Sequence, residues 1–134
     1  MTLFICLDKN NGISFNNRRQ SRDIAVVSRM CERAKNSILH ISENSSSLFA
    51  PLPPILSIDN NPLEKTKSGE FCFVESIENY ELINKVKKII VYRWDKVYPH
   101  DESFKFDFNN FTLESLCEFS GKSHNKITEE VYVK

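Results

Sequence analysis

Leu3-Phe4-Ile5-Cys6-Leu7, followed at once by Asp8-Lys9-Asn10-Asn11-Gly12, is the stretch on which the reading of the fold turns. The unbroken apolar run reads as a buried strand. The asparagines and the glycine after it are turn formers. A second polar loop, Phe15 to Ser21, leads into a pattern that turns helical from Arg22. Ile24, Val27, Met30 or Cys31, and Ala34 recur at spacings of three and four and so share one face, with Arg29, Glu32 and Arg33 off that stripe. Ser21 or Asp23 is the expected N-cap. Strand, glycine-bearing loop and helix with an acid at its start put polar groups at the carboxyl end of a strand, where α/β proteins bind ligands.

Outward from this stretch the chain alternates short strands and short helices. Ser37 to Ile41 and Ile55 to Ile58 read as strands, separated by a loop or single helical turn at Glu43–Ser47 and the rigid connector Pro51-Leu52-Pro53-Pro54. Residues 59–69 have room for a helical turn. Glu70 to Glu75 is a strand rich in Phe and Val, and Ile77 to Asn84 a short helix. Val86 to Tyr98 carries Ile89-Ile90-Val91-Tyr92, a run apolar enough for a strand buried on both faces. Phe104, Phe106 and Phe108 alternate with charged residues. Phe111 to Phe119 and Lys126 to Val133 form a terminal hairpin across Ser120–Asn125. The expected fold class is α/β, with a mixed, mostly parallel central sheet and an antiparallel C-terminal hairpin.

At 134 residues the length is that of one domain, expected to span residues 1–134. Net charge is zero and the 18 basic residues are scattered, so the electrostatic footprint of a nucleic-acid binder is missing. No apolar run approaches the roughly 20 residues of a membrane span, and no basic region precedes the N-terminal apolar run; a cytoplasmic location is expected. Cys6, Cys31, Cys72 and Cys117 are widely spaced and read as buried free thiols. Without close ligand pairs, and with His40, His100 and His124 far apart, no metal site is expected. Gly121-Lys122-Ser123 ends like a phosphate loop but lacks the upstream glycine, and Ser45–Ser47 lacks the context of a nucleophile elbow. Tyr92 and Trp94 read as sheet packing.

The opening stretch resembles that of the dihydrofolate reductase family. The family's D-x-N-x-x-I-G-type loop is similar to Asp8-Lys9-Asn10-Asn11-Gly12-Ile13-Ser14, its flexible N-x-L-P-W loop to Phe15-Asn16-Asn17-Arg18, and its helix beginning with an acid to Arg22-Asp23-Ile24-Ala25. Val86 to Phe104 is similar to the strand that ends in the family's D-x-x-F turn. The resemblance covers both ends of the chain, about 70 residues. It implies a three-layer dihydrofolate reductase-like sandwich, with Asp23 at the position of the acid that holds the pterin ring and assists proton delivery.

Departures from the family pattern bear on function. Arg18-Arg19-Gln20-Ser21 replaces the tryptophan-bearing loop. Ile41-Ser42-Glu43-Asn44-Ser45 stands in place of the G-R-x-T element that grips cofactor phosphate. Pro51-Leu52-Pro53 continues as Pro54-Ile55 without the arginine for the folate tail. Val74-Glu75-Ser76 replaces the glycine pair, putting a side chain and an anion where the cofactor's backbone approach belongs. The family's late-strand threonine aligns with Tyr92. The expectation is a divergent, non-catalytic binding or interaction protein whose pocket centres on Asp23. Asp23 is the candidate catalytic residue, and Cys6, Arg18, Ile24, Val27 and Tyr92 are candidate ligand contacts. A small-molecule ligand or a protein is the expected partner, with neither nucleic acid nor membrane. The rivals are a nicotinamide-dependent reductase of a pterin-, flavin- or pyrimidine-like ring, the one reading that needs NADPH, and a purely structural partner-binding domain.

Overall fold

A computed structural model describes residues 1–105 and 107–134; Phe106, one of the three alternating phenylalanines, lies outside the described residues. In chain order the strands and α-helices are β1 (Thr2–Leu7), β2 (Gly12–Phe15), β3 (Arg18–Arg19), α1 (Ile24–Arg33), β4 (Leu39–Ile41), β5 (Leu56–Ile58), α2 (Pro62–Lys65), β6 (Phe71–Phe73), β7 (Lys88–Trp94), β8 (Glu102–Ser103), β9 (Thr112–Phe119) and β10 (Ile127–Val133). Seven strands form the main sheet in the order β5-β4-β6-β1-β7-β10-β9. The five from β5 to β7 run parallel, and β10 and β9 are antiparallel additions.

The period of two along a strand divides the apolar residues between the two faces. Leu3, Ile5, Leu7, Ile89 and Val91 pack on one side with Ile77, Ile83, Val86 and Phe104. Phe4, Ile90, Tyr92 and Trp94 pack on the other with Val26, Met30 and Ala34 of the α1 segment. That gives three layers, as the class of fold requires. The middle strands β1 and β7 are buried on both faces, which explains their continuous apolar reading.

Four details depart from the sequence reading. The segment 8–21 is not all loop: β2 and β3 pair across Asn16 and Asn17, both at positive φ (51° and 59°), and β8 completes a small antiparallel sheet. Asparagine tolerates the left-handed region, so this Asn-Asn pair makes the two-residue hairpin turn that favours positive φ at both centres. Residues 80–85 form a 3-10 turn rather than an α-helix over 77–84. The buried stripe of α1 is Val26 and Met30, with Ala34 behind, while Ile24 is 62% exposed because it is the first residue after the cap and points off the sheet.

The fourth concerns the thiols. Cys72 is buried, Cys6 and Cys31 are half-buried, but Cys117 is exposed, because β9 is an edge strand with solvent on both faces. Burial pushes the Cys72 thiol up to about 12 and raises Cys6 and Cys31 as well. Thiolate is the reactive form. A disulfide reagent is therefore expected to modify Cys117 first in the native protein, with Cys72 reacting only on unfolding. Mapping the first modified peptide checks this, and early modification of Cys72 contradicts it.

Candidate functional site

The carboxyl ends of β1 and β6 open into the region where an α/β sheet binds ligands. Glu75 stands there, two residues past β6. Arg19 of β3 forks onto it, Nε to Oε1 at 2.6 Å and Nη2 to Oε2 at 3.0 Å, while Ser45 Oγ donates to Oε2 at 2.7 Å. Arg19 Nη2 also donates to the Asn44 carbonyl at 3.0 Å. The small sheet, the end of β6 and the turn after β4 are thus tied together across the crevice. Charge-assisted, two-point contacts of this kind fix geometry strongly.

Asp23 caps α1, accepting from the Ala25 N–H at 2.9 Å. Its carboxylate is wholly buried and takes further donors from the β9–β10 loop: Lys122 N at 3.0 Å, Ser123 N at 2.7 Å, Ser123 Oγ at 3.0 Å and His124 Nδ1 at 3.2 Å. Burial alone opposes its charge. The backbone donors of Lys122, Ser123 and Ala25, with His124, outweigh that and hold the carboxyl well below the usual carboxylate range. Gly121-Lys122-Ser123 does cradle an anion, and the anion is this side chain of the same protein. Gly121 is required for the approach, since a Cβ there would run into the Asp23 carboxylate and Ile127.

Asp8 plays a similar part at the first turn. Buried after β1, it accepts from Asn10 N and Gly12 N at 2.8 Å and from Gln20 Nε2 and Tyr98 N at 3.0 Å. Burial works against its charge, and the three backbone donors lower its pKa regardless.

Two hollows adjoin these groups. A cavity of about 30 Å³ lies between β1, α1 and β6. Cys6, Val27, Met30, Phe73 and Asp23 are among its walls. That volume suits a water or two, far below the several hundred Å³ of a typical ligand pocket. Beyond it runs an open cleft of about 1390 Å³. Arg18, Arg22, Ser21, His124, Glu64 and Glu78 are among the residues that line it. Of the residues singled out from sequence, Cys6, Val27 and Asp23 border the small cavity, and Arg18 is exposed in the cleft. Ile24 borders neither. Tyr92 is buried in the sheet, its hydroxyl donating to Glu129 at 2.8 Å.

His124 figures in the sequence only as one of three scattered histidines. Its ring lies on Trp94, centroids 4.6 Å apart, and is bonded on both nitrogens, to Asp23 through Nδ1 and to Ser21 Oγ through Nε2 at 2.9 Å. It stands 101 residues from Asp23, so no spacing rule could have joined them.

No protein-family model and no curated protein sequence matches the chain. A solved structure does: dihydrofolate reductase from Enterococcus faecalis, complexed with NADP(H) and RAB-propyl, superposes with a TM-score of 0.65. The match covers 98% of this chain and 94% of that one at 12% sequence identity. The chain therefore has a dihydrofolate reductase-like fold. Among the described residues no helix is long and apolar enough to cross a membrane, and no cluster of three or more His, Cys, Asp or Glu could hold a metal ion.

Proposed function

We propose that the chain is a small-molecule-binding protein built on a dihydrofolate reductase-like fold, and not a nicotinamide-dependent reductase. The observation that carries this reading is the Arg19–Glu75–Ser45 bridge across the carboxyl ends of β1 and β6. A dinucleotide threading that crevice would have to break a two-point ion pair and place its phosphates against Glu75. The small cavity beside Asp23 is too tight for a bicyclic ring, and the Asp23 carboxylate is already engaged by the chain's own donors. The larger cleft is the better seat for a ligand.

Charge in that cleft is divided. Arg18 and Arg22 are exposed and form no ion pair among the described residues, while Glu64 and Glu78 also line the cleft. The fitting ligand is a small molecule with one anionic group, held by Arg18 or Arg22. Thermal unfolding tests the reading. NADPH, NADP⁺, dihydrofolate and an antifolate are expected to leave Tm unchanged, while phenyl phosphate raises it and Arg22→Ser removes the rise. A ligand at 100 times its Kd adds about 2.7 kcal/mol, several degrees for a domain of this size. A rise of that order with NADPH would restore the reductase.

A further inference from the structure

Ser21, His124 and Asp23 stand in the order hydroxyl, imidazole, carboxylate. Ser21 Oγ is 2.9 Å from His124 Nε2, and His124 Nδ1 is 3.2 Å from Asp23 Oδ2. The Asp23 carboxylate only accepts, so the ring proton belongs on Nδ1 and the lone pair of Nε2 faces the serine. The imidazole is fixed on a third side by Trp94. Ser21 and His124 both line the cleft, with Arg22 exposed beside them. A nucleophile within hydrogen-bond reach of a base that is itself held by a buried carboxylate is recognised by geometry and not by sequence order.

We propose that this relay makes the chain a serine hydrolase of small esters bearing an anionic group, with Ser21 as nucleophile and His124 as general base. It rests on the proposed function only in using the same cleft. Ser21 Oγ attacks the ester carbonyl carbon as its proton passes to His124 Nε2. The carbonyl π pair moves onto oxygen and returns as the bond to the alcohol breaks, the alcohol leaving with the proton from Nε2. Water then attacks the acyl-serine, giving its proton to Nε2, and the Oγ–carbon bond breaks as Ser21 regains its proton. Asp23 holds the ring in the tautomer both halves need, and Arg22 supplies a cation for the substrate's anionic group. Tyr98 Oη also lies 3.2 Å from Nε2, farther than the serine.

A fluorophosphonate probe tests the relay without knowledge of the ester. Attack by Ser21 forms an Oγ–phosphorus bond, expels fluoride and sends the proton to His124. Intact-mass analysis is expected to show one adduct per chain, and peptide mapping to place it on Ser21. Ser21→Ala abolishes it, and Tyr98→Phe leaves it in place. His124→Asn keeps a donor for Asp23 but removes the base, so its labelling slows by about 100-fold or more. Each variant's near-UV spectrum, which reports Trp94, shows whether the fold persists. If His124→Asn unfolds, the mapped site and Ser21→Ala decide. Absence of an adduct on the folded wild-type chain, an adduct on Tyr98 or Ser123, or equal labelling of folded His124→Asn overturns the relay. None of these outcomes alters the thermal-shift result, so the two proposals fail separately.

Discussion

Asp23→Ala is expected to lower the free energy of unfolding by about 3 kcal/mol or more. Loss of the helix cap alone costs about 1 kcal/mol. The larger part comes from the Lys122 and Ser123 N–H groups, which point at the carboxylate and would be left without an acceptor, at about 1–3 kcal/mol for each donor that stays buried. Asp23→Asn keeps the shape but can turn an amide NH₂ toward those donors, so it too destabilises, by less. Gly121→Ala reaches the same contact from the other side, because its Cβ would enter the space of the carboxylate. Urea unfolding measures all three through the midpoint at unchanged slope. A loss below about 1 kcal/mol in Asp23→Ala would mean that the β9–β10 loop does not depend on this carboxylate for its position. The result also governs how any activity experiment is read: a dead Asp23 variant shows a catalytic role only if its loop is still in place.

The parts of the fold legible in sequence are those written in local pattern. β1 and β7 announce themselves because burial on both faces forces a continuous apolar run, and α1 because its acid cap precedes a helical period. The hairpin of β2 and β3 was missed because its strands are only 4 and 2 residues long and its turn is Asn-Asn rather than a glycine pair. The helix phase differs at Ile24, an apolar first-turn residue that the fold leaves exposed. Of the hydrogen-bonded cluster Ser21, His124 and Asp23, local pattern marks only one residue. Asp23 stands out at a helix start, but Ser21 beside it looks like a loop serine and His124 like a lone histidine until folding brings β10 alongside β7 and sets the preceding loop against α1. Contacts closed by a long loop leave no mark on local spacing. Glu75 stands out in sequence as an anion in place of a glycine pair, but its pairing with Arg19 and Ser45 required three separate elements to meet.

Glu129→Ala is expected to cost about 2–4 kcal/mol, because it takes the acceptor from the buried Tyr92 hydroxyl and the carboxylate from two arginines that are each 36% exposed. Glu129 lies on β10 opposite Tyr92 of β7 and is 2% exposed. Arg29 and Arg33, one turn apart on α1, both fork onto it: Arg29 Nη2 and Arg33 Nη2 reach Oε1 at 3.1 and 2.9 Å, and their Nε atoms reach Oε2 at 3.3 and 3.1 Å. The Tyr92 hydroxyl completes the set. Helix and sheet are thereby locked by one carboxylate, on the same side as the main aromatic core. Burial opposes its ionisation, but the Arg33, Arg29 and Tyr92 hydrogen bonds prevail and hold its pKa at about 2, against 4.5 for an ordinary glutamate. A pKa depressed on folding means that the unfolded chain takes up the proton first. The contribution is present above about pH 4.5 and is lost as pH falls through the folded value, about 3 kcal/mol across that window at one proton. Stability of the wild-type chain should therefore drop as pH falls below about 4.5, and Glu129→Gln, less stable at neutral pH, should show a shallower drop. Asp23 stays in both proteins, so the difference between their curves isolates Glu129. Parallel curves would show that the carboxylate is not ionised against its two arginines, and the helix-to-sheet lock would then have to reside in the apolar packing of Val26, Met30 and Ala34.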